Sequence, residues 1–388
     1  MSPRILIASR LFPPEVSAGA FRLGALARAL VRRGDAVRVL TTVPPSHAPV
    51  IPDPEGVRVD RRPVLRDGGG NVRGYVQYAS YDVPLAFRML RGRYDVAVAE
   101  SPPTTGLVVW VMSALKRRPV VYYAADVWTD GVISMGAPAP VVWLMRAMER
   151  LLLARAARVI SVSAEVTERL VALGADPERI ATVGNGIDTG VFSPDVASPD
   201  TEDDYFVYTG TMSEWQRPSV FIEALALIAG ESDVKIRFFG QGSVEADLRE
   251  LADRIAPGRV EFGGVVGPAE SARWIRGAAG ALVSIVPGIG YDFAKPTKTY
   301  AAAAVGTPVL FAGAGAGSDL VRDSGLGYAV RFDAEAVAEG MRQLLRDREA
   351  GVTELRRAER ADWARTNVSL DAVADRVAEA VHDAIGRR

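Results

Sequence analysis

The sequence predicts an α/β protein made of two successive doubly wound parallel sheets, and three observations carry that reading. The chain has 388 residues, which exceeds one ordinary core and fits two domains of roughly 150–200 residues. Short apolar runs alternate with amphipathic helical patterns from end to end, as parallel βαβ units require. A polar, Pro- and Asp-rich connection at Ser193–Asp204 divides this alternation into two series.

The first series opens with an apolar run at Arg4–Ala8, a strand by length and composition. A loop, Leu11–Ala20, leads into a helix with Leu23, Leu26 and Leu30 on one face, at spacings of three and four. Arg32 and Arg33 fill its last turn and Gly34 supplies the stop. Ala36–Thr41 is the next strand, followed by strands at Tyr94–Ala99, Val120–Ala124 and Arg158–Val162 and a helix over Val141–Ala156. The second series predicts strands at Tyr205–Gly210, Lys235–Phe239, Val260–Phe262, Ala281–Val286, Val309–Phe311 and Tyr328–Val330, with helices between them. The tail, Leu370–Ile385, reads as one more helix, returning to the first domain. Open sheets of this kind bind ligands outside the carboxyl ends of their strands, so two of them are expected to face a central cleft.

Composition narrows the chemistry. Apolar residues make up 48% and charged residues 24%, ordinary for a globular protein. The absence of cysteine excludes disulfides, iron–sulfur clusters and thiol catalysis. With His47 and His382 as the two histidines, a histidine-built metal site is not expected. No charged-then-apolar leader opens the chain and no run reaches the ~18 apolar residues of a spanning helix, so a cytoplasmic protein is expected. Residues 1–194 carry 24 Lys+Arg against 17 Asp+Glu, and the rest 22 against 30. A basic front half suits an anionic partner, a phosphorylated acceptor or the inner membrane face, and equally suits solvated arginine-rich helices. The stretch Val141–Ala157 sets Trp143, Leu144 and Leu151–Leu153 beside Arg146, Arg150 and Arg155, either a peripheral membrane helix or a core helix with a basic outer face. The acidic run Glu202-Asp203-Asp204 reads as solvated linker charge rather than a metal site.

Four segments stand in a telling order: Pro13–Ala20 after the first strand, Ser101-Pro-Pro-Thr-Thr-Gly106, Val183-Gly-Asn-Gly-Ile-Asp-Thr-Gly-Val-Phe192, and Pro296-Thr-Lys-Thr-Tyr through Gly306-Thr-Pro308. Together they resemble nucleotide-sugar glycosyltransferases of the GT-B architecture, specifically the retaining family 4, and within it bacterial enzymes that build cell-surface glycans. The resemblance spans nearly the whole chain, and order and spacing carry it more than any single motif. It implies an acceptor domain over 1–194, a donor domain over 200–368 and a closing helix over 370–388. It also implies transfer of a sugar, with retention, from a UDP- or GDP-type donor to a hydroxyl acceptor, lipid-linked or a small metabolite. Neither cofactor nor metal is expected, and no nucleic acid.

The candidate residues follow from the same segments. A glycine at a helix start lets a phosphate approach open N–H groups, which fits Gly19 and, after the first strand of the donor domain, Gly210 with Thr211. Thr297 and Lys298 begin a helix and would hold the donor diphosphate, with Arg217 as a guanidinium ligand beside them. The resemblance places Gly240, Val265 and Val266 at the nucleotide, with Asn185–Asp188 as a reversal between domains. Asp126, at the end of a first-domain strand, is the candidate carboxylate for the acceptor hydroxyl, with Glu100 and Asp130 as weaker candidates. Family 4 enzymes carry two glutamates eight positions apart, one near the sugar and one on the ribose. Here the second position is Ala301 and the first is Phe293, with Asp292 beside it as a candidate sugar-side carboxylate. Losing a hydrogen bond to a charged group costs about 1.5–3 kcal/mol. Three explanations stand: another ribose partner such as Asp319, an unusual donor, or a non-catalytic partner of another glycosyltransferase. A sugar-nucleotide epimerase on the same fold is the remaining alternative.

Overall fold

The computed structural model describes residues 2–386 apart from 16, 46, 47, 49, 50, 68–71, 73, 135 and 202. His47, Val16 of the first loop and Glu202 of the acidic run lie outside the described residues. The chain forms two compact units, Met1–Asn185 with Leu370–Arg388, and Gly186–Ser369.

The first unit holds strands β1 (Arg4–Ala8), β2 (Ala36–Thr42), β3 (Val57–Arg62), β4 (Val96–Glu100), β5 (Val120–Ala124), β6 (Arg158–Ser161) and β7 (Ile180–Thr182). They pair in parallel in the order β3-β2-β1-β4-β5-β6-β7. Side chains alternate across this sheet. Ile5, Ile7, Val37, Val98 and Tyr123 pack on one face against the helices Ala18–Arg32 and Leu370–Gly386. Leu6, Leu40, Ala97 and Tyr122 pack on the other against Tyr75–Arg91, Pro103–Leu115 and Ala139–Arg155. The C-terminal helix offers Val373, Val377 and Val381 to the first face at helical spacing, so it belongs to this unit's core.

The second unit has strands β8 (Tyr205–Thr209), β9 (Lys235–Phe239), β10 (Val260–Phe262), β11 (Gly280–Ser284), β12 (Val309–Ala312) and β13 (Gly327–Val330). These too are parallel, in the order β10-β9-β8-β11-β12-β13. The strand order therefore reverses between β1 and β4 in one unit and between β8 and β11 in the other. All eleven strands read from the sequence are present. β3 and β7 were not read: β3 is the polar edge sequence VRVDRR and β7 has three residues.

Among the described residues no helix is long and apolar enough to cross a membrane. In the helix Ala139–Arg155, Met145, Glu149, Leu152 and Leu153 face inward. Trp143 is 70% exposed and, with Leu144 and Leu151, shares the outer surface with Arg146, Arg150 and Arg155.

Candidate active site

In the second unit a pocket of about 540 Å³ opens at the carboxyl ends of β8, β9 and β10, where the sheet reverses toward β11. Its floor requires glycine. Gly210 and Gly240 follow β8 and β9 at φ +105° and +127°, and a Cβ on Gly240 would lie 2.0 Å from the Gly210 carbonyl oxygen. Thr211, Val265, Val266 and Thr297 line the same space.

The helix Thr297–Ala304 points its first turn into the pocket, and first-turn N–H groups have no acceptor within their own helix. Its alanines 301–304 are buried, which seats the helix close to the sheet. Ala301 lines the pocket with only 6% exposure, so no carboxylate stands at that place. Lys298 is the one charged side chain among the described lining residues. Its Nζ lies 3.2 Å from Gln216 Oε1 and 3.6 Å from the centre of the Tyr208 ring. The Tyr208 hydroxyl donates to the same Gln216 oxygen. No carboxylate pairs with Lys298 among the described residues, and burial pushes its ammonium well below its ordinary pKa. Gln216, Tyr208 and Trp215 were not singled out from the sequence. Trp215 and Gln216 lie in the loop following the β8 glycine, and Tyr208 lies in β8 itself.

Three charged candidates stand outside this lining. The exposed Arg217 lays its guanidinium over the Phe332 ring, 4.8 Å from its centre. The Asp292 carboxylate accepts the Gly288 N–H at 3.0 and 3.2 Å, closing its own turn. Asp319, in the first turn of helix Ala316–Asp323, is exposed and pairs with Arg322 at 2.7 Å.

The first unit has its own strand reversal, between β1 and β4. Glu100 ends β4 at 4% exposure, accepts a 2.6 Å hydrogen bond from Ser9 Oγ and faces Arg22 at 3.5 Å. Burial raises its pKa, against the pull of Ser9 and Arg22. Gly19 sits in the first turn of helix Ala18–Arg32, where a Cβ would come 2.6 Å from Glu100 Oε1. The anion admitted by that missing side chain is thus the protein's own carboxylate. Asp126 follows β5 and is exposed; partial burial of its carboxyl raises the pKa and the charge of Arg22 opposes this. The cap of the helix Trp128–Ser134 comes from the buried Glu149, which accepts the N–H groups of Trp128 and Thr129 at 3.0 Å. Asp126 is therefore not needed as a cap. Asp130 pairs with Arg169 at 2.7 Å.

Residues 18–186 match the family described as glycosyl transferase 4-like domain, and residues 203–347 match glycosyl transferases group 1. A D-inositol 3-phosphate glycosyltransferase of Nocardia farcinica is 30% identical over 308 residues, covering 73% of this chain and 66% of its own length. D-inositol 3-phosphate glycosyltransferase 1 of Catenulispora acidiphila is 29% identical over 322 residues, covering 78% and 72%. Among solved structures, Anabaena HepE in complex with UDP and glucose superposes with a TM-score of 0.65 at 16% identity, over 98% of this chain and 100% of that one. That likeness gives the fold, and the two matched domains, in order along the chain, give the family. The chain belongs to the GT-B glycosyltransferases, enzymes that use nucleotide-sugar donors.

Proposed function

We propose that the chain moves a sugar from a nucleoside diphosphate to a hydroxyl acceptor, with retention at the anomeric carbon and without a metal ion. The carrying observation is Lys298: a cation at a helix start, in a glycine-floored pocket, with no carboxylate partner among the described residues. A donor diphosphate supplies the missing negative charge. As the bond from the anomeric carbon to the diphosphate breaks, charge builds on the leaving oxygen, and Lys298 with the first-turn amides at Thr297 stabilises it. Gly210, Thr211 and Gly240 let the phosphates approach the backbone, and Val265 and Val266 take the base.

UDP is the nucleotide to test first, because HepE is seen with UDP and glucose. On the acceptor side Asp126 orients the hydroxyl and receives its proton. The D-inositol 3-phosphate relatives favour a small phosphorylated polyol over a lipid-linked acceptor. Retention is supported by the resemblance to family 4.

The test is transfer by the purified chain from a panel of nucleotide sugars, with and without EDTA, and the product's anomeric configuration read by NMR. Turnover that survives EDTA with the donor's configuration kept is the expected result. Absence of transfer and hydrolysis with every donor, together with unchanged nucleotide binding in Lys298→Met, would sink the reading.

A further inference from the structure

The pocket's wall continues past Lys298 as a run of aromatic rings. Trp215 lines the pocket and is fixed over the end of β11, its carbonyl accepting the Val286 N–H at 2.9 Å. Tyr291 stacks on Trp215 with ring centres 4.9 Å apart and planes 21° from parallel. Phe293 follows at 6.2 Å from Tyr291. Tyr291 is 42% exposed and Phe293 44%, an arrangement that leaves ring surface uncovered. Beside these rings, Gln216 Oε1 holds Tyr208 and Lys298, and the Asp292 carboxylate accepts the Gly288 N–H. On the opposite side of Lys298, at β9 and β10, the lining is Phe239, Val265 and Val266. With the diphosphate at Lys298 and the base on that side, as proposed above, the sugar falls on the side of the rings.

We infer that Trp215, Tyr291 and Phe293 form a stacking platform for the transferred sugar and favour a 6-deoxyhexose donor over the fully hydroxylated hexose. The inference rests on the nucleotide-sugar reading above. An aromatic face is electron-rich and attracts the weakly positive C–H face of a pyranose. It gives a hydroxyl pressed against it no acceptor to replace water, so hydroxyls on that side are disfavoured. Selection of this kind is modest: an apolar wall discriminates by one group about 10–200-fold, whereas a site built to hydrogen-bond a hydroxyl discriminates far more.

The experiment is calorimetric titration of the full chain with three probes on one base, repeated in the uridine, thymidine and guanosine series. The probes are the nucleoside diphosphate, its hexose and the 6-deoxy counterpart of that hexose. In the series that binds, the 6-deoxy sugar should bind about tenfold tighter than the hexose. Phe293→Glu, at an exposed position, restores a carboxylate and should erase or reverse that preference; Trp215→Leu should weaken both sugars. The bare diphosphate should stay within about twofold in both variants, since neither removes its contacts. Equal or tighter hexose binding by the wild type overturns the inference, as does a Phe293→Glu change that shifts all three probes alike. If no nucleoside diphosphate binds the wild type, the nucleotide reading falls and takes this one with it.

Discussion

At the strand reversal of the first unit stands Glu100, a buried carboxylate answered by Ser9 and by Arg22. At the equivalent reversal of the second stands Lys298, a cation answered by a neutral amide and a ring face. The topology is shared and the charge treatment is opposite. A strand reversal that has neutralised its own charge suits an uncharged group such as a hydroxyl. One that leaves a cation unpaired in low-dielectric surroundings is unfavourable on its own and is relieved by an anionic ligand. The difference is independent support, free of any motif, for the nucleotide site proposed in the second unit.

The largest expected effect is on catalysis. Lys298→Met should lower kcat by about 10²–10³-fold, the cost of removing one preorganised group from a developing negative charge. The midpoint of urea unfolding should not fall, because the substitution removes a partly buried cation that no carboxylate pairs among the described residues. The parallel change in the first unit should behave in the opposite way. Glu100→Ala strands Arg22, and breaking a buried pair from one side costs about 3–5 kcal/mol of stability, measured by urea unfolding. If both variants lose stability equally, the contrast between the two reversals is wrong.

Glycine positions sharpen the same comparison. At Gly240 an added Cβ meets the Gly210 backbone at 2.0 Å in a left-handed conformation, so Gly240→Ala must shift the pocket floor. At Gly19 the obstacle is the end of the Glu100 side chain, 2.6 Å away, which can turn aside. We expect Gly240→Ala to cost about 1–3 kcal/mol and Gly19→Ala the lower end of that range, by thermal and urea unfolding. Gly240→Ala should also weaken nucleotide binding and Gly19→Ala should not.

The sequence made most of this fold legible because periodicity reports burial. Every buried strand had an apolar run, and the two unread strands were the polar edge β3 and the three-residue β7. The site was only partly legible. Lys298, Gly210 and Gly240 were readable because helix starts and post-strand glycines have fixed backbone consequences. Arg217, Asp292 and Asp319 followed from the resemblance and their charge, and neither says where a side chain turns. Their partners Phe332, Gly288 and Arg322 lie four or fewer residues away only in the last two cases. Gln216 and the Trp215–Tyr291 stack join residues far apart in sequence, which no local pattern announces.

The smallest effect is the most direct probe of the unpaired cation. Burial lowers the pKa of Lys298 in the free protein. A bound diphosphate raises it, because an opposite charge favours the protonated amine. Between the two values the complex holds more protons than the free protein. Binding then takes up as much as about one proton, and affinity falls as pH rises through that window. Below the free-protein pKa the lysine is charged in both states and affinity is level. A nucleotide sugar is the right probe, since its doubly esterified diphosphate has no proton of its own to exchange near neutrality. Calorimetry in buffers of different ionisation enthalpy measures the uptake, and Lys298→Met should abolish it. Uptake that survives this substitution would place the titrating group elsewhere and remove the charge contrast that supports the proposed nucleotide site.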